Sequence, residues 1–198
     1  MEIINASKEN AGELAYLINL AGEGIPAYLW QDMAEENESP LDVGNRRAAR
    51  EEGNFSYRNA KICVENNALL GMLISYRQPD PYTIDDILEY PELVRPLIEL
   101  EARAPGSWYI NAIATYEEHR GKGVARMLLA ESEALAKHHS CKLMSLIVAS
   151  ENNTACRLYK HLGFKAQASL AIIPYPGCAH GGNWVLMTRE ILNKSSDL

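Results

Sequence analysis

Arg120-Gly121-Lys122-Gly123-Val124-Ala125 is the run on which the reading of this chain turns. It stands between an apolar stretch, Ser107–Thr115, and a helical repeat over 123–138. That repeat is carried by Val124, Leu128 and Leu135, flanked by Ala125, Leu129, Ser132 and Ala136. The pattern predicts a strand, a polar turn over Tyr116–Arg120, a glycine pair and then an amphipathic helix. Small residues at a helix entrance let backbone N–H groups approach an anion, and the helix dipole favours negative charge there. Lys122 and Arg126 add positive side chains. The ligand this predicts is a phosphate or pyrophosphate, because a chain that merely turned would not need both glycines and Ala125. A dinucleotide fingerprint fits poorly: it wants a small residue where Arg126 stands and glycines directly after the strand. A P-loop fits no better, since Gly123 is followed by Val124.

Downstream lies Asn152-Asn153-Thr154-Ala155-Cys156-Arg157-Leu158-Tyr159-Lys160-His161-Leu162-Gly163-Phe164. Asn152–Leu162 predicts a helix in which Asn152, Ala155 and Tyr159, at i, i+3 and i+7, share one face. Asn152 is placed to cap the helix or to offer its amide to a ligand, and Gly163 suits the C-terminal cap. Taken alone, Tyr159 is either a core tyrosine with its hydroxyl at the surface or a functional phenol. Leu143–Ala149, apolar apart from Ser145, predicts a strand covered on both faces, and further strands follow near 164–173 and 183–191.

Toward the N-terminus, Glu2–Asn5 predicts a strand, and Leu14, Leu17 and Ile18 a helix capped by Ser7. Gly22, Gly24 and Pro26 break that helix. Tyr28–Glu36 reads as one or two helical turns carrying exposed aromatics, and Ser39-Pro40 opens a helix running to about Glu52. Residues 60–65 and 69–76 are strands joined by an Asn66-Asn67 hairpin turn. Pro79 and Pro81 make a loop, and a helix over 92–103 ends at Pro105-Gly106. The order βααα–ββ–α–βα–βα–ββ predicts an α/β or α+β fold with a mixed sheet.

A length of 198 residues suits one domain, and 47% hydrophobic content provides a core. With 26 acidic against 19 basic side chains, the net charge of -7 argues against a nucleic-acid binder. Cys63, Cys141, Cys156 and Cys178 form no CxxC pair and no tight Cys/His cluster, so neither a zinc site nor a disulfide framework is expected. Without a basic n-region, an apolar h-region or a spanning apolar run, the expectation is a soluble, cytoplasmic protein with no membrane partner.

The two motifs in this order resemble the GNAT superfamily of acyl-CoA-dependent N-acetyltransferases. Its first signature, Gln/Arg-x-x-Gly-x-Gly/Ala, is filled by Arg120, Gly123 and Ala125. Its second, Asn-x-x-Ala-x-x-Leu-Tyr-x-x-x-Gly-Phe, is matched at every specified position between Asn152 and Phe164. The resemblance is close over 107–164, while the first 55 residues and Pro174–Gly182 carry no general family signal. It implies a single GNAT-like domain over 1–198, α/β (α+β), with a central mixed, mostly antiparallel sheet flanked by helices. The central strands at 107–115 and 142–149 would splay apart.

The same resemblance implies acetyl-CoA as cosubstrate and no metal. The pantetheine arm would lie along the backbone of Ile113 and Thr115. An N–H near Ile113 or Ala114 would polarise the thioester carbonyl. The pyrophosphate would sit on the N–H groups of Arg120, Gly121, Lys122, Gly123, Val124 and Ala125, with Asn152 also on the cofactor side. An amine would attack directly in a ternary complex, without a cysteine nucleophile, and Tyr159 would protonate the departing thiolate. The general base stays open. Where some family members carry a glutamate on the central strand this chain has Tyr109, and Glu101, Glu117 and Glu118 lie nearby, Glu101 within reach through a water chain. Tyr28, Trp30, Asn111, Tyr175, His180, Trp184 and the segment Phe55–Asn59 are candidates for the acceptor pocket. The acceptor would be a small-molecule or peptide amine, and a homodimer is compatible with the family. The alternative is the same fold holding an acyl-CoA as a sensor without turnover.

Overall fold

A computed structural model describes residues 1–191. In chain order the elements are β1 (Glu2–Asn5), α1 (Ala11–Ala21), α2 (Ile25–Gln31), α3 (Pro40–Ala48), β2 (Ala60–Glu65) and β3 (Ala68–Arg77). Then follow α4 (Arg95–Glu101), β4 (Trp108–Thr115), α5 (Val124–His138), β5 (Leu143–Ala149), α6 (Asn153–His161), β6 (Lys165–Ala171) and β7 (Asn183–Glu190). The strands form a seven-stranded, mostly antiparallel sheet in the order β1-β2-β3-β4-β5-β7-β6, flanked by helices. The α/β expectation holds. By packing, the described chain groups into two compact units, each assembled from separate stretches.

The first unit holds β1 to β3, α1 to α3, most of β4 and the start of α5. β1, β2 and β3 pair antiparallel, and the β2–β3 hairpin closes through Asn66 and Asn67, both at positive φ (50° and 64°). Asparagine tolerates that conformation, which matches the right-handed twist of the flanking strands. Leu14, Leu17 and Ile18 line the inward stripe of α1 and pack with Ile62, Met72, Ile74, Ala112 and Ala114. Each such large side chain contributes about 1.5–3 kcal/mol by leaving water.

Two expectations here need correction. The helical turns expected over Tyr28–Glu36 form a helix displaced toward the N-terminus, Ile25–Gln31. Gly24 (φ +93°) precedes it and Pro26 occupies its first turn, where a missing N–H costs nothing. Gly24 and Pro26 therefore start the next helix as well as separating it from α1. The helix expected to run to about Glu52 stops at Ala48. Beyond it, the Ser56 hydroxyl donates to the Arg50 carbonyl at 2.5 Å, and Glu51 turns outward to Arg58 and Tyr57. Those bonds hold a loop that helix continuation would break.

The second unit holds α4, the N-terminal end of β4, the rest of α5, and β5 to β7 with α6. β7 is sandwiched between β5 and β6, with Ile147 opposite Leu186 and Leu170 opposite Trp184. β5 buries Met144, Ser145, Leu146, Val148 and Ala149, as its apolar run predicted. The buried Ser145 hydroxyl is satisfied by Ser107 at 2.6 Å. The helix expected over 92–103 is a 3-10 turn, Glu92–Val94, followed by α4. Pro96 in the first turn explains the division, because a proline there cannot donate back into the preceding turn.

Candidate active site

β4 carries the chain toward the glycine turn. Ala112 and Ala114 face the core, while Asn111, Ile113 and Thr115 alternate to the other side and remain half-buried. β3 approaches β4 so closely at Gly71 that a Cβ there would come within 2.6 Å of the Ala114 carbonyl oxygen. The Thr115 hydroxyl is buried and has no hydrogen-bond partner among the described residues. Such a group is costly unless something polar meets it.

After β4, a 3-10 turn over Glu117–His119 is closed by the Arg120 amide donating to the Glu117 carbonyl at 3.2 Å. That amide, expected to hold phosphate, is already spent. Gly121 (φ +76°) and Gly123 (φ +88°) then take the left-handed backbone that side-chain-bearing residues rarely adopt, and a Cβ on either would meet open space. α5 begins at Val124, so the amides of Gly123, Val124, Ala125 and Arg126 have no acceptor within the helix. The Arg126 amide belongs with this set although only its side chain drew attention in the sequence. Lys122 stands at the rim, its ammonium 3.3 Å from His119 Nδ1. Open glycine surface, orphan amides and flanking cations together fit the diphosphate of a coenzyme A.

The second motif forms α6. Asn152 Oδ1 accepts the Ala155 amide at 3.1 Å, so its carbonyl side caps the helix rather than meeting a ligand. Tyr159 is the buried residue of the helix, at 8% exposure, its ring 6.0 Å from that of Phe164. Burial, and secondarily Cys156, pushes its phenol above the usual value. It therefore holds its proton throughout the neutral range. Cys63 and Cys141 are buried thiols raised by desolvation, unsuited to nucleophilic work.

A third cluster, around Glu101, draws on residues far apart in the sequence. Glu101, at the end of α4, accepts the Tyr82 hydroxyl at 3.1 Å on Oε2, and Tyr109 and Gln78 also face its carboxyl. Desolvation raises that carboxyl above the ordinary range, with the three polar neighbours opposing. Tyr82 is raised in turn by burial and by the Glu101 charge.

The acceptor candidates divide. Tyr28 and Tyr175 come together, ring centroids 6.1 Å apart at 50°, and the Tyr175 hydroxyl donates to the Glu23 carbonyl at 2.8 Å. Trp30 does not join them. It is buried over Gly44, where a Cβ would lie 2.3 Å from its ring, so it packs α2 on α3 instead of lining a pocket. Trp184 is likewise buried, in β7, while Asn111 and His180 are half-buried. The Phe55–Asn59 segment is a self-capped turn, with Ser56 accepting the Arg58 amide. No group of three or more His, Cys, Asp or Glu converges as a metal site among the described residues, and no described helix is long and apolar enough to cross a membrane.

A profile for the acetyltransferase (GNAT) family matches residues 26–164, spanning both motifs. The chain belongs to the GNAT family. Its curated relatives include GCN5-related N-acetyltransferase 4, chloroplastic, of Arabidopsis thaliana, 32% identical over 108 residues. That match covers 54% of this chain but only 33% of the relative's length. Among solved structures, a Drosophila melanogaster polyamine N-acetyltransferase superposes with TM-score 0.68 at 11% identity, covering 96% of this chain and 99% of that one. YncA of Salmonella typhimurium, solved with its cofactor acetyl-CoA, superposes with TM-score 0.60 at 17% identity, covering 99% and 96% respectively. At such identities the likeness is one of GNAT fold.

Proposed function

We propose that this GNAT chain transfers the acetyl group of acetyl-CoA directly to a primary amine of a small molecule or peptide, in a ternary complex within one functional domain. The observation that carries the reading is the Gly121–Arg126 turn, with two left-handed glycines beside open space and a helix start whose amides lack acceptors. The diphosphate would rest there, with Lys122 and Arg126 as counter-charges, and the pantetheine arm would run along Ile113 and Thr115. The unpartnered Thr115 hydroxyl would find its partner in that arm.

In this reading the amine lone pair adds to the thioester carbonyl carbon while an amide at Ile113 or Ala114 holds the carbonyl oxygen. The C–S bond then breaks and the sulfur takes the Tyr159 proton. Asn152 serves this chemistry by starting α6 and so setting Tyr159 two turns further on. A sensor that binds acyl-CoA without turnover is the competing reading. Tyr109, standing on β4 where some family members carry a glutamate, is the one feature that favours it. Release of CoA thiol, followed across a panel of diamines, amino acids and short peptides, separates the two. Thiol appearing in step with acetylated amine supports the transferase, and tight CoA binding with no release on any amine supports the sensor.

A further inference from the structure

A carboxylate seldom sits half-buried among phenols without a task, because neutral hydroxyls only partly return the hydration it loses. Glu101 is such a group. It is met by Tyr82 from the loop after β3 and by Tyr109 from β4. The hydroxyl of Tyr82 donates to the Glu101 carboxyl at 3.1 Å. Tyr109 itself is buried and occupies β4, the strand that continues through Asn111 to Ile113.

We propose that Glu101 is the proton store of the acetyl transfer and that Tyr109 passes it the proton of the incoming ammonium. This rests on the transferase reading above. An N–H bond of the ammonium breaks, the electron pair stays on nitrogen, and the proton goes to the Tyr109 oxygen. Tyr109 gives its own proton to a Glu101 carboxylate oxygen. The nitrogen pair forms the C–N bond, the C–S pair leaves on sulfur, and sulfur takes the Tyr159 proton. The second nitrogen proton restores the Tyr159 phenol through solvent, and Glu101 returns its proton to water. The net products are amide, CoA thiol and one proton. Glu101 is thus a positioning and storage residue acting through Tyr109. Tyr82 orients the carboxyl and keeps the charged form from being lost to burial.

The decisive variants are Glu101→Gln, which keeps the shape and one acceptor oxygen but cannot take a proton, and Tyr109→Phe, which cuts the relay. Both are assayed for kcat/KM against pH, for melting temperature and for acetyl-CoA affinity. With the store removed only the neutral amine reacts. The loss should be about 10²–10⁴-fold near pH 7 and shrink steadily as pH approaches the pKa of the amine. Acetyl-CoA affinity should stay within about two-fold, below 0.5 kcal/mol. A merely structural Glu101 would give a loss of equal size at every pH. That result, or Glu101→Gln with wild-type turnover at neutral pH, overturns the inference while leaving the transferase intact. Wild-type protein that releases no CoA with any amine overturns the transferase reading and this inference together.

Discussion

Gly123 has a left-handed φ of +88° and nothing near its missing side chain, so the chain takes on the entropic cost of glycine at a solvent-facing turn. In a turn built only to reverse direction, Asn would serve, as it does at Asn66 and Asn67. Glycine is required if a ligand's phosphates lie against the backbone. Gly123→Val is therefore expected to weaken acetyl-CoA binding at least ten-fold, about 1.4 kcal/mol, in isothermal titration. Gly53, also left-handed and in open space, supplies the control. Gly53→Val should lose comparable stability, about 1–2 kcal/mol for the forced backbone, and keep acetyl-CoA affinity. Equal affinities for the two variants would remove the phosphate site from this turn.

Among the elements, α5 and α6 were legible because each carries a full helical period and a motif fixed by chemistry. The hairpin was legible because paired asparagines tolerate positive φ. The start of α2 was not, because Gly24 and Pro26 signal equally well an end or a beginning. The Glu101 cluster was invisible for another reason. Its partners come from positions 78, 82 and 109, and only tertiary folding brings a helix end, a loop and a strand together. Close packing of β3 on β4 was equally hidden, since Gly71 inside an apolar strand looks like a weak position. Gly71→Ala would drive a methyl toward the Ala114 carbonyl and should cost about 1–3 kcal/mol in urea unfolding, with weaker acetyl-CoA binding because β4 must shift. An unchanged unfolding midpoint would show that the strands yield there without strain.

At the scale of the whole molecule, a net charge of -7 leaves the positive turn at Lys122 and Arg126 as a local exception. Two glutamates pull stability in opposite directions with pH. Glu101 is raised in the folded state, so its contribution is full below the unfolded value of 4.5 and is lost as pH rises through the folded one. Glu133 is lowered, first by Lys137 and also by Arg189, so it stabilises above 4.5 and fades as pH falls through its folded value. Glu101→Gln should therefore melt at or above the wild-type temperature at neutral pH, the difference closing as pH falls toward 4.5, while Glu133→Gln should melt below it and converge in acid. A Glu101→Gln protein less stable than wild type at neutral pH would show that the ionised carboxylate holds the fold together.

The most direct test of the central claim is made on Tyr159. Tyr159→Phe keeps the ring against Phe164 and removes one proton. Stability should change by at most about 1 kcal/mol. Acetyl-CoA affinity should stay within a few-fold, and single-turnover acetyl transfer should fall by about 10²–10⁴-fold. A folded Tyr159→Phe protein that binds acetyl-CoA and transfers acetyl at the wild-type rate would contradict the account.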